Sequence, residues 1–178
     1  MDKKVPNNIL CTIQFKDYKM NDEISILIKL VTNDSDVETL RVIRNTCRTF
    51  MTRQIYEIDT QNQQIWWQKL DKSTNFPYLL YKAEFGVIIY PIGYGYVRFE
   101  NGEILLTGGL IPEERGKGYG KKLFELMINS SKRYNVPIKL EVLNSNTNAF
   151  EMYKKIGFTV ISKDDKITKM EYHYDSVI

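Results

Sequence analysis

One histidine, two cysteines and no long apolar run leave several kinds of chemistry without the parts they need. His173 alone supplies neither a zinc site nor a histidine-based nucleophile triad. Cys11 and Cys47 do not make a disulfide framework, which fits a reducing compartment and a cytoplasmic location. No stretch reaches membrane-spanning length, and Met1-Asp2-Lys3-Lys4 leading into Val5-Pro6-Asn7-Asn8 is not a signal-peptide pattern, so no membrane partner is expected. The net charge of +3 comes from lysines and arginines scattered among acids rather than gathered in a stripe, which argues against a nucleic-acid partner. Internal repeats and low-complexity tracts are absent. What remains is 178 residues with 43% hydrophobic and 26% charged, enough for one sizeable globular domain and too few for two.

The patterning predicts an α+β fold on one mostly antiparallel central sheet flanked by helices, in the order β-α-α-β-β-β-α-β-α-β-β. Residues 1–22 form an N-terminal extension without an assignable element, ahead of a domain expected over 23–178. A β-branched strand is expected at 24–31, then a helix opened by Asn33-Asp34-Ser35-Asp36 and running to about 49. Thr60 and Gln63 make a capping box for a second helix, with Ile65, Trp66 and Leu70 at helical spacing. Sheet follows: 77–84 with a continuation through 87–90, then 92–99 past Pro91. Asn101-Gly102 reads as a type I′ hairpin turn into 103–111. A helix over about 117–133 buries the pairs Leu123/Met127 and Phe124/Ile128. In the strand at 138–143, Ile138, Leu140 and Val142 share one face. A short helix over 147–156 is closed by Gly157, and two strands, 158–162 and 166–174, finish the chain.

Between a strand and a helix lies Arg115-Gly116-Lys117-Gly118-Tyr119-Gly120. The first turn of a helix leaves N–H groups without partners and carries partial positive charge. Glycines let a diphosphate approach those groups, and Arg115 and Lys117 add full charge. From the glycines alone two readings stay open, a phosphate cradle or a loop that relieves strain. A P-loop fails, since Gly120-Lys121 is followed by Lys122 and the residue five before Gly120 is Arg115. A dinucleotide fingerprint fails as well: Lys121 stands where the third glycine belongs, and the preceding strand is the second arm of a hairpin.

The pattern that fits is R-x-x-G-x-G, carried by Arg115, Gly118 and Gly120. It resembles the coenzyme A pyrophosphate loop of the GNAT acetyltransferases. Leu140-Glu141-Val142, Asn146-Thr147-Asn148-Ala149 and Met152-Tyr153-Lys154-Lys155-Ile156-Gly157-Phe158 resemble that family's second block. The strong resemblance covers about residues 84–161. It implies an acetyl-CoA-dependent N-acetyltransferase that uses no metal. Cofactor contacts would come from Arg115, Gly116, Lys117, Gly118, Tyr119 and Gly120, and the pantetheine arm would pair with backbone around Leu110 and Ile111, where two strands splay apart. Asn146 resembles an asparagine that contacts the cofactor, and it equally suits a helix cap. Tyr153 matches the general-acid position, able to protonate a departing thiolate. Many relatives carry an acidic base on the strand before the loop, and 105–111 has none. Glu141, twelve residues before Tyr153, is the substitute, at a spacing that resembles RimI-like ribosomal-protein N-acetyltransferases; a solvent-facing strand glutamate is the alternative.

The acceptor expected is a small amine such as an amino-sugar nucleotide, with a peptide amine as the alternative. Arg44, Arg48 and Trp67, among arginines and aromatics of the first two helices, loosely resemble relatives acting on amino-sugar nucleotides and would suit a phosphorylated ring. The Glu141/Tyr153 spacing favours a protein N-terminal acceptor instead. A non-catalytic acyl-CoA-binding sensor is the reading from another class. Oligomeric state has no sequence signature here.

Overall fold

A computed structural model of the chain describes residues 16–21, 23–53, 55–85 and 87–174. Among the described residues eight strands make one sheet: β1 (Lys16–Lys19), β2 (Ile24–Leu30), β3 (Asn75–Glu84), β4 (Val87–Glu100), β5 (Glu103–Leu110), β6 (Ile138–Leu143), β7 (Phe158–Lys163) and β8 (Ile167–Tyr172). Their spatial order is β1-β2-β3-β4-β5-β6-β8-β7. Every neighbouring pair is antiparallel except β5 and β6, which run parallel. Among the described residues four α-helices cover the faces: α1 (Asp34–Thr46), α2 (Thr60–Lys69), α3 (Tyr119–Ser131) and α4 (Thr147–Ile156). This is the mixed α+β domain that the patterning predicts.

Side-chain alternation along the central strands decides which helix lies on which face. A Cβ added at Gly95 would meet Met127 and Leu123 of α3, and one at Gly108 would meet Leu123 and Phe124 of the same helix. A Cβ at Gly109 would instead meet Cys47, just past α1. So α3 packs on one face and α1 on the other, with Gly95 letting α3 settle close to the sheet. Two apolar clusters follow from this. The larger joins Val97, Ile104 and Leu106 to Leu123, Phe124, Met127 and Ile128, the α3 stripe expected from sequence. The smaller joins Val37, Leu40, Ile43, Cys47 and Trp67 to Leu79 and Tyr94 on the opposite face.

Several element boundaries differ from the sequence reading. The segment left unassigned contains β1, whose register against β2 runs from Lys16↔Ile28 to Lys19↔Ser25. The β3–β4 reversal falls at Phe85, which has positive φ, so 87–90 belongs to the second strand and not the first. Pro91 lies within β4, where the pairing passes from Leu80↔Gly93 to Tyr81↔Pro91. A bulge skips Ile92 there and accommodates a residue that cannot donate to the ladder. The cap of α2 is Asp59, whose carboxylate accepts from the Asn62 N–H at 2.7 Å. Gln63 is therefore not a capping partner: it is buried with Trp67, four residues on, while Ile65 is exposed. The helix is rotated from the phase that Ile65 and Trp66 suggest, because Gln63, Trp67 and Leu70 make its inner row. At α3, Gly118 has φ 87° and so ends the loop instead of joining the helix. Asn101 and Gly102 both have positive φ, as a type I′ turn requires, and Gly157 closes α4 at φ 114°.

Candidate active site

β5 and β6 pair only at Ile104↔Ile138 and Leu105↔Lys139. Beyond those two pairs the strands diverge, and the edge of β5 from Leu106 to Gly109 faces a widening gap. Unpaired strand groups inside a sheet need a partner, and an extended chain carrying amides can supply one. The gap opens into a cavity of about 880 Å³ that reaches both faces of the sheet. Arg44, Phe50, Arg53 and Trp66 line it from the α1/α2 side, and Gly118, Lys121, Met152 and Tyr153 from the α3/α4 side.

At one end stands the N terminus of α3. Gly118 is its N-cap and offers no side-chain acceptor; the first bond of the helix runs from the Lys122 N–H to the Gly118 carbonyl, 3.2 Å. The N–H groups just before Lys122 are thus left for a ligand. Gly116 and Gly118 both adopt positive φ, and a Cβ at Gly116 would meet nothing within 4 Å. Uncapped N–H groups, a helix dipole, Arg115 and Lys121 together form a cradle with the chemistry to hold a diphosphate. Gly116, Gly118 and Gly120 all line the cavity, whereas Lys117 is exposed and pairs with Glu114 at 3.1 Å. The Tyr119 side chain is buried in the larger core. Arg115 donates through Nε to the Leu110 carbonyl at 3.0 Å and through Nη2 to the Thr46 carbonyl at 3.3 Å, with its guanidinium over the Phe50 ring. It therefore ties the loop to the end of β5 and the end of α1. The buried thiol of Cys47 donates to the same Leu110 carbonyl at 3.3 Å. Burial pushes that thiol up, keeping it a neutral donor and a poor nucleophile. The Ile111 N–H bonds the Ile92 carbonyl, and Ile111 lies off the cavity lining.

The second block arrives through β6 and α4. Asn146 lines the cavity, and its Oδ1 caps α4 by accepting from the Ala149 N–H at 3.3 Å. Tyr153 is 7% exposed and held edge-on by Phe124 (centroids 4.8 Å apart) and Phe158 (5.9 Å). Burial, reinforced by Tyr94, raises its hydroxyl pKa, so it carries its proton throughout the physiological range. Glu141 alternates with buried Leu140 and Val142 on β6, and all three reach the cavity wall. Its carboxylate is forked by Arg53, Nη2 to Oε1 at 2.9 Å and Nε to Oε2 at 3.2 Å. Thr52 adds a hydrogen bond at 3.3 Å, and Lys169 of β8 stands 3.7 Å away. Partial burial pushes the Glu141 pKa up, but Arg53, Lys169 and Thr52 outweigh it and hold the carboxyl below its usual range. Arg53 is 63% exposed on its side-chain surface and Glu141 18%, so solvent screens the bridge from the arginine side and its contribution is on the order of 1 kcal/mol.

Of the residues picked out for the acceptor, Arg44 lines the cavity. Arg48 is exposed and pairs with Glu57 at 3.0 Å, away from the lining. Trp67 sits in the smaller core under Lys72, and its neighbour Trp66 faces the cavity in its place, as the rotated phase of α2 dictates. Arg53 and Arg98 also line the cavity and carry no motif that marks them in sequence. Among the described residues no cluster of His, Cys, Asp and Glu could hold a metal ion, and no helix is long and apolar enough to cross a membrane.

The family model for the GNAT acetyltransferases matches residues 38–158, more than half of the chain. No curated protein matches the sequence. Solved structures share the fold at low identity. The yncA protein of Salmonella typhimurium, solved with its cofactor acetyl-CoA, gives a TM-score of 0.63 at 19% identity over 85% of this chain and 95% of that one. Spermidine N-acetyltransferase from Vibrio cholerae, in complex with CoA and spermine, gives 0.68 at 15% identity over 85% and 95%. The GNAT domain of S. lividans PAT gives 0.69 at 14% identity over 90% and 97%.

Proposed function

The chain belongs to the GNAT acetyltransferase family, and from that premise we propose that it moves an acetyl group from acetyl-CoA to a primary amine, the acceptor being a small amine such as an amino-sugar nucleotide. One observation carries the reading: a gap in the sheet, an uncapped helix N terminus beside two cationic side chains, and a buried tyrosine share one cavity. Acetyl-CoA, when bound, supplies the activated acyl carbon. The cradle at the start of α3 holds its diphosphate, and the free backbone of β5 orients the arm behind it. Glu141 takes the proton of the acceptor ammonium. The freed amine forms the N–C bond as the C–S bond breaks and releases its second proton to solvent, and the Tyr153 hydroxyl gives its proton to the departing thiolate, regaining one from solvent. Trp66 and Tyr96, with ring centroids 6.3 Å apart, give the acceptor side an aromatic wall, and Arg44 and Arg98 give it charge. That lining suits an anionic, ring-shaped acceptor better than a polycation.

Thiol release from acetyl-CoA tests the reading, with a blank lacking acceptor to subtract Cys11 and Cys47. The acceptor panel contains amino-sugar nucleotides, polyamines and N-terminal peptides. Release with amino-sugar nucleotides is expected. Tyr153→Phe is expected to lower turnover by about a hundredfold while leaving the affinity for CoA nearly intact, since the ring packing survives. A wild-type rate in that variant removes the acid role. Binding of acetyl-CoA with silence across the whole panel would favour a sensor over an enzyme.

A further inference from the structure

Among the described cavity-lining residues, Glu141 is the only acid, and it is not free to act: both its oxygens are taken by Arg53. Arg53 comes from the stretch between α1 and α2, where Ile55 and Tyr56 are exposed. Three guanidinium groups, those of Arg44, Arg53 and Arg98, face the α1/α2 side of the cavity. Arg98 spends Nη2 on Glu100 at 3.0 Å, but its Nε is buried without a hydrogen-bond partner. A cationic acceptor would meet three guanidinium groups here, two of them paired with Glu141 and Glu100, and among the described lining residues no acid without a cationic partner.

We infer that Arg53 determines acceptor specificity by exchanging partners: an anionic oxygen group on the acceptor, phosphate or carboxylate, draws the guanidinium from Glu141, and the released carboxylate takes the amine's proton. The inference rests on the acetyltransferase reading for its chemical step and on the cavity alone for its binding step. The exchange is feasible because the Arg53 side of the bridge is largely solvent-exposed and because a guanidinium fork fits phosphate or carboxylate equally well. It couples recognition to catalysis. An amine lacking the anion leaves Arg53 on Glu141 and meets a base that is blocked and weakly basic. Lys169 of β8 is the other charge facing Glu141, and Glu100 also attracts Arg53, so neither partner is held by the other alone.

The test compares two pairs of acceptors, an amino sugar with its phosphate and an amino acid with its amide, on wild type, Arg53→Ala and Arg53→Lys. Calorimetry with CoA present reads acceptor affinity, and initial rates with acetyl-CoA read turnover. Wild type is expected to prefer the anionic member of at least one pair by tenfold or more; the pair that shows it identifies the anion. Arg53→Ala should shrink that preference at least tenfold in both readouts, with Arg53→Lys restoring part of it through charge without the fork. The acid limb of the rate profile for the uncharged acceptor should move to higher pH in Arg53→Ala, because Glu141 loses its main cationic partner; a merely structural arginine would not move it. Undiminished preference in Arg53→Ala, or tighter binding of spermidine than of either anionic amine by wild type, overturns the inference. Preference in binding without turnover of any acceptor would sink the enzymatic reading and leave Arg53 as the anion's ligand.

Discussion

Replacing Gly118 separates two contributions at the start of α3. Gly118 adopts φ 87°, and a Cβ there would meet only the Met20 methyl at 3.9 Å. Gly118→Ala therefore meets no steric obstacle, and its penalty is torsional, about 1–2 kcal/mol for a left-handed residue with a side chain. At about 2–4 °C per kcal/mol for a chain of this size, the melting temperature should fall by a few degrees. If the loop keeps its shape, CoA binds nearly as before; if the strain is relieved by a flip, the loss is bounded at about 5–30-fold. Gly118→Glu bears the same torsional penalty and adds a negative charge where the diphosphate is expected. One pair of like charges at about 4 Å repels by about 1 kcal/mol in water and about 4 kcal/mol at an effective dielectric constant of 20. CoA should then bind the glutamate variant between about fivefold and a thousandfold more weakly than the alanine variant. Added salt should narrow the difference, because the site is open to solvent. Calorimetry of CoA with all three proteins at low and high salt, with thermal melts as the control for folding, measures both effects. Equal affinity of the alanine and glutamate variants at low salt would refute the placement of the diphosphate.

Two further outcomes follow from the packing and the buried charges. Phe158 is 2% exposed and sits between the rings of Tyr153 and Tyr172; Phe158→Ala should destabilise the chain by about 3–5 kcal/mol, seen as a drop of roughly 10 °C in melting temperature, and a drop of a degree or two would mean that this ring cluster does not anchor α4. Glu114 is buried and bonded by the Tyr90 hydroxyl and the Lys117 ammonium. Burial raises its pKa, but those partners and Lys82 outweigh it and leave the carboxyl below its ordinary range. A depressed carboxylate contributes stability that is present above the unfolded value, about 4.3, and lost as pH falls through the folded value. Glu114→Gln should flatten the decline of melting temperature below about pH 4.3, and an unchanged acid slope would show that Glu114 does not contribute to it.

Much of the fold was legible because local patterns and tertiary needs agree. The stripe Leu123/Met127 and Phe124/Ile128, the alternation of Ile138, Leu140 and Val142, and the turns at Asn101-Gly102 and Gly157 each reflect a rule that acts within a few residues. Misreadings came where a neighbour in space decides. The phase of α2 is set by the face that packs against α1 and the sheet, which buries Gln63 and Trp67 and turns Ile65 outward. The β3–β4 reversal at Phe85 was hidden by Pro91, the stronger local punctuation, which a bulge absorbs.

The sequence alone determined the family blocks, the glycine-rich turn before α3, and the placement of Tyr153 and Glu141 on successive elements, because backbone conformation at glycines and side-chain periodicity are short-range properties. Tertiary structure decided what those residues face. It opened β5 from β6 after two pairs, and it chose Trp66 over Trp67 for the cavity. It also brought Arg53, 88 residues away in the chain, onto Glu141. No local pattern encodes that last contact, since a charge on an irregular segment finds its partner only once the sheet and helices have fixed the distance between them.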